Sequence, residues 1–271
     1  GHSGDDINKK RANAIKILGR FLYMEQAKMD LRLVSWNSGK MHNAIPRDGK
    51  IVFCVPADKK EEVKADWNNF AADVEDEFHV TDTNMVWSLT SADAQKVMPK
   101  TVSRNLILAI QAVDNGPLTN CQDEELAWLV ETSSNLASVQ STDGEVTIVS
   151  SQRSSVMSNL RNMANAVKAC FELAGAEVIQ NDGYPAWKMK AHSELQKIAI
   201  EEYKKLFGHE PKVLGIHAGL ECGLFSEKYP DLDMISFGPT LRFVHTPDER
   251  LLIPTVQMVW DHLLAILKNI D

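Results

Sequence analysis

The stretch Lys212-Val-Leu-Gly-Ile-His-Ala-Gly-Leu-Glu-Cys-Gly-Leu-Phe225, followed after a short link by Asp233-Met-Ile-Ser-Phe-Gly-Pro-Thr-Leu-Arg-Phe-Val-His-Thr-Pro-Asp-Glu249, decides how this chain is read. Each half holds an apolar, strand-like run, Val213 to Ile216 and Met234 to Phe237. Each run opens into small residues and a histidine, His217 or His245. Strand ends that break into Gly-rich turns are where α/β proteins place chemistry, because the backbone can approach a ligand closely there. Two readings of His245 stand side by side. Asp248 and Glu249 can orient a metal-bound imidazole by accepting its second N–H, or they can simply complement the dipole of a following helix. For His217 the alternatives are a pocket contact and a core histidine at a strand end.

Outward from this stretch, the tail predicts a helix over 193–206, a strand over 213–216, a short helix, a strand over 234–237 and a final helix. On the last, Val256, Val259, Trp260, Leu263, Leu264 and Leu267 share a face. That order suits a parallel or mixed sheet under helices, although two strands do not complete one. Asp182-Gly-Tyr-Pro185 is the best linker. Upstream, the periodicity predicts a helix over about 5–27 capped by Ser3 and a strand pair over 31–36 and 51–55. A helix over 59–78, a strand over 85–89 and a helical pattern between 91 and 123, ending at Asn115-Gly-Pro117, follow. A hairpin across Ser141-Thr-Asp-Gly144, a helix over 157–173 and a strand over 176–181 complete the first part. This is an α+β pattern, an antiparallel sheet with helices on one face.

At 271 residues, 44% hydrophobic, the chain has enough apolar side chain for one large or two modest domains. A formal charge of −8 without a basic run excludes a binder of nucleic-acid backbone. No apolar run approaches bilayer length and the first residues do not read as a leader, so a cytoplasmic location is expected. Cys54, Cys121, Cys170 and Cys222 show no metal-knuckle or disulfide spacing. Cys222 as a thiol nucleophile is disfavoured by the neighbouring Glu221.

The pairing of His217-Ala-Gly-Leu-Glu-Cys-Gly with Ser236-Phe-Gly-Pro and His245-Thr-Pro-Asp-Glu resembles the C-terminal part of aminoacylhistidine dipeptidases (Xaa-His dipeptidases), within the dizinc aminopeptidase and carboxypeptidase G superfamily. The likeness extends in family order to Gly1-His-Ser-Gly-Asp, Asn43-Ala-Ile-Pro-Arg47, Val130-Glu-Thr-Ser-Ser-Asn135 and Gly183-Tyr-Pro-Ala-Trp187, and so spans the chain.

The resemblance implies an α+β lid or dimerisation domain over 1–183, then the C-terminal segment of an α/β zinc-peptidase catalytic domain over 184–271. The first part of the catalytic domain, with most of the metal set, would lie upstream. It implies hydrolysis of Xaa-His dipeptides by a parent enzyme with two zinc ions, a homodimer formed through the lid, and a chain that is inactive alone. Residue by residue, it implies His245 as metal ligand and His2 as the lid histidine that steadies the developing oxyanion. Arg153 would grip the substrate's terminal carboxylate, Asn43 would hydrogen-bond substrate, and His217 with Gly219 would line the substrate pocket. A non-catalytic dimerisation or substrate-binding module, and a different amide hydrolase of the same superfamily, are the alternatives.

Overall fold

A computed structural model describes the chain apart from residues 94, 182, 184, 186, 188, 189, 191, 216–220, 243–247 and 271. It divides into a larger unit over Gly1–Ala186 and a smaller one made of the described residues from Trp187 onward.

The larger unit is built on β4 (Val130–Thr142), which runs antiparallel to β5 (Glu145–Ser154) along its whole length. The tight connection turns at Gly144, whose φ of 85° lies in the region that favours glycine. The other edge of β4 is shared. Its first half pairs with β3 (Gly116–Asn120), and Val139 and Gln140 pair with β1 (Arg32–Ser38), which in turn pairs with β2 (Gly49–Cys54). All pairings are antiparallel.

Four helices supply the core: α1 (Ala14–Lys28), α2 (Lys60–Glu77), α3 (Lys100–Ala112) and α4 (Met157–Leu173). Their apolar stripes meet strand residues that share one face. Trp36 stands opposite Ile51, Leu33 opposite Phe53 and Val139 opposite Ile148, and all belong to a single cluster with Phe21, Trp67, Phe70 and Ile110. Phe21 sits at its centre, edge-on to Trp67 at 4.9 Å and tilted against Phe70 at 5.4 Å.

Polar side chains fasten this layer where elements end. Asn13 caps α1 through the Ile15 and Lys16 amides and, with Asn115, binds both backbone groups of Leu136 beside a bulge in β4. Lys16 Nζ donates to the carbonyls of Ile110, Gln111 and Val113, closing the C-terminus of α3. Helix α1 thus begins later than the expected residue 5. Lys10 adopts a left-handed φ of 54°, which ends a short 3-10 turn over Ile7–Lys9, and the helix restarts at the Asn13 cap.

Glu25 is fully buried. Lys28 donates to one carboxylate oxygen at 2.9 Å and the other has no partner. Burial pushes its carboxyl above the ordinary range, with Lys28 opposing. A raised folded-state value means that the stability it confers is present below the ordinary carboxylate range and lost as pH rises through the raised value. Glu25→Gln is therefore expected to stabilise by about 1 kcal/mol near neutral pH. The gain should shrink as pH falls toward about 4, and melting curves of the two proteins across that range check it.

Two strands expected in the larger unit are absent. Residues 85–89 are extended but lack a strand partner; Met85, Trp87 and Leu89 pack on the core instead, and Trp87 Nε1 donates to Glu75 at 2.9 Å. Residues 176–180 likewise form no ladder.

In the smaller unit, α5 (Glu194–Phe207) is capped by Ser193, whose hydroxyl also donates to Asp233 at 2.9 Å. Also present are α6 (Glu221–Lys228), the two-residue antiparallel pair β6 (Leu241–Arg242) and β7 (Arg250–Leu251), and α7 (Pro254–Lys268), which begins on its proline. Residues 213–215 and 234–237 are not strands, so the described residues of this unit hold no parallel or mixed sheet.

The apolar stripe of α7 does not face its neighbour. Val256, Trp260 and Leu267 are exposed, while His262 and Ile266 on the opposite side are buried; His262 Nε2 lies 2.7 Å from the Ala199 carbonyl of α5. Strand-forming sequence without a neighbouring strand, and an apolar helix face without cover, are one deficit: backbone and side chains lack the partners that would bury them. His262 is thus a buried structural residue. His42, His79, His192 and His209 are exposed.

Candidate substrate-binding face

Residues 133, 135, 151 and 153 share the face of the sheet turned away from the helices, since Ser133 stands opposite Arg153 and Asn135 opposite Ser151. Although Glu131, Ser133 and Asn135 are polar, β4 is buried here on both faces. The residues that position this face come from both ends of the larger unit's first part. Ile45 N donates to Gly1 O at 2.9 Å, Ser3 N donates to Asn43 O at 2.8 Å, and His2 and Ala44 form an antiparallel bridge. Asn135 Nδ2 then donates to Ala44 O at 2.8 Å, which ties the paired segments to β4.

Two of the expected site residues, His2 and Asn43, lie on this network, and Arg153 shares a sheet face with Asn135, which anchors it. His2 is not a frayed end. Its backbone is held on both sides, and its Nδ1 accepts from Gly4 N at 3.1 Å. A neutral ring so held carries its proton on Nε2, the form suited to donate to a developing negative charge. Asn43 is half-buried in the loop between β1 and β2.

Arg153 is more unusual. Its Nε is buried without a hydrogen-bond partner, and burial lowers the guanidinium's pKa while Asp5 partly offsets that effect. A buried N–H left unpaired is costly, and a planar fork is shaped for a carboxylate.

Sequence reasoning assigned no role to Asn135, although it was part of a quoted motif, nor to Ser3 beyond a helix cap. Asn135 Oδ1, Ser3 Oγ and Arg153 Nε are three of the six buried side-chain polar atoms without a partner among the described residues. The available signal was the run Glu131-Thr-Ser-Ser-Asn135, polar side chains inside a strand buried on both faces.

His217, Gly219 and His245 lie outside the described residues. Among those described, no three His, Cys, Asp or Glu side chains are grouped to hold a metal ion. None of the four cysteines is in a disulfide, and burial with help from Glu221 pushes the Cys222 thiol up, which argues against a nucleophilic role. No described helix is long and apolar enough to cross a membrane.

No protein-family model matches the chain. The cytosol non-specific dipeptidase of Escherichia coli (strain K12) is 36% identical over 271 residues, all of this chain and 56% of that protein. The crystal structure of aminoacylhistidine dipeptidase from Vibrio alginolyticus matches with a TM-score of 0.88 at 37% identity, covering 100% of this chain and 55% of the other. The whole chain is similar to part of a dipeptidase. It spans about half the length of these dipeptidase relatives. The likeness carries a mixed α and β architecture with an antiparallel sheet.

Proposed function

We propose that the protein containing this chain is a cytoplasmic, zinc-dependent dipeptidase with a preference for Xaa-His substrates. In this reading residues 1–183 form its lid and dimerisation domain, and residues 184–271 form the last part of its catalytic domain. The observation that carries the peptide reading is the half-buried guanidinium of Arg153, whose buried Nε has no partner among the described residues, on a face whose cover holds His2 and Asn43. Arg153 takes the free carboxylate of the dipeptide, Asn43 hydrogen-bonds the substrate, and His2 Nε2–H steadies the oxyanion. His217 and Gly219 line the pocket. The uncovered strand and helix surfaces of the smaller unit support its assignment as one portion of a larger α/β domain.

For the two zinc ions, the candidate ligand in this chain is His245. The described residues do not by themselves form a metal site, so this chain's part in the reaction rests on its own polar groups. When bound, zinc would supply an activated water.

The test is hydrolysis by the complete natural protein of a series of dipeptides, Xaa-His included. His245→Ala should reduce turnover to near background and remove bound zinc while leaving the melting temperature in place; unchanged zinc and turnover would remove His245 from the site. Peptide binding without cleavage of any dipeptide would favour the non-catalytic binding module.

A further inference from the structure

Asn135 is 2% exposed, and its amide orientation is fixed, because the Ala44 carbonyl can only accept and must therefore face Nδ2. Oδ1 is left buried with no donor. An acceptor kept in that state is destabilising unless something supplies an N–H or O–H to it. Asn135 pairs with Ser151, and Arg153 lies two residues further along the same face. The two side chains are thus diagonal neighbours with Cα atoms about 7–8 Å apart, within reach of a long side chain. One buried group lacks an acceptor and the other lacks a donor. A ligand that satisfies both must carry an anionic acceptor and a donor a few ångströms apart. The backbone of an amino acid at a peptide's C-terminus has that pair, its carboxylate and its own nitrogen.

We propose that Asn135 is a second specificity-determining residue of the Arg153 site, its Oδ1 accepting a hydrogen bond from the α-nitrogen of the residue whose carboxylate Arg153 holds. The same side chain positions Asn43, because its Nδ2 clamps the loop that carries Asn43. This rests on the dipeptidase reading of the face, and the two can fail separately.

The experiment compares phenylalanine with 3-phenylpropionate, which keeps the carboxylate and lacks the nitrogen, as competitive inhibitors of dipeptide hydrolysis by the complete protein. Wild type should bind phenylalanine about tenfold more tightly, the worth of one such bond. Asn135→Ala should bring the two inhibition constants together while both remain sensitive to Arg153→Lys. Asn135→Ser, which keeps a small polar side chain but is too short to place an acceptor where Oδ1 stood, is the second variant should the alanine form fail to fold, and should give the same convergence. An unchanged ratio in a folded variant overturns the proposal for Asn135. Inhibition by both carboxylates that ignores Arg153→Lys overturns the reading of Arg153 itself.

Discussion

Arg153→Lys in the complete protein is expected to lower kcat/KM for a free dipeptide roughly ten- to a hundredfold, the effect of losing a charge-assisted bond of about 1.5–3 kcal/mol. Lysine keeps the charge but not the planar fork that pairs with both oxygens of a carboxylate. The melting temperature should barely change, because Arg153 makes no salt bridge among the described residues and its Nε has no partner to lose. Wild type and variant are to be assayed on a dipeptide and on its C-terminal amide. Wild type should favour the free acid strongly and the variant should lose most of that preference. Equal discrimination against the amide by both would show that Arg153 does not read the carboxylate.

Gly39→Ala is expected to destabilise the larger unit by about 3–5 kcal/mol, through backbone strain and overpacking together. Gly39 has a φ of 68°, and a Cβ there would run into the carbonyl oxygen of Ala137 on β4. That atom is backbone in a fully buried strand and cannot swing aside. Gly39 also begins the loop that leads to Asn43, and its carbonyl accepts from Gln140 Nε2 at 2.7 Å. Pushing β1 from β4 would therefore shift Asn43 and the Ala44 carbonyl held by Asn135. Urea unfolding measures the first effect. Inhibition by a free amino acid measures the second, and a variant of wild-type stability would refute the close approach.

Elements whose signals are local were legible in the sequence. Helix α4 closes at Gly175 with its expected limits, and the Asp143-Gly144 turn joins β4 to β5 where the pattern put it. Elements that depend on a neighbour were not. Strand β3 begins at Gly116-Pro117, a dipeptide that reads as a break, and it exists because it pairs with β4. Residues 85–89 alternate like a strand yet find only side-chain partners. In the tail, Val213, Leu214 and Phe237 remain exposed, and a strand pattern without an adjacent strand has no ladder to join. At the site, His2, Asn43 and Arg153 were singled out by the resemblance rather than by composition or spacing. Asn135 escaped because its significance lies in one unpaired atom, which no sequence pattern records.

The pairing of residues 1–3 with residues 43–45, pinned by Asn135 and laid over β4, has a consequence for the order of events during synthesis. The His2 segment emerges from the ribosome before its partner loop, and the strand that fastens that loop is made more than a hundred residues after His2. Long-range pairings of this kind form slowly, since loop closure precedes any reward. The face that would hold substrate therefore cannot form until β4 and β5 have been made, and until then its polar groups stay hydrated, with no buried amide to satisfy.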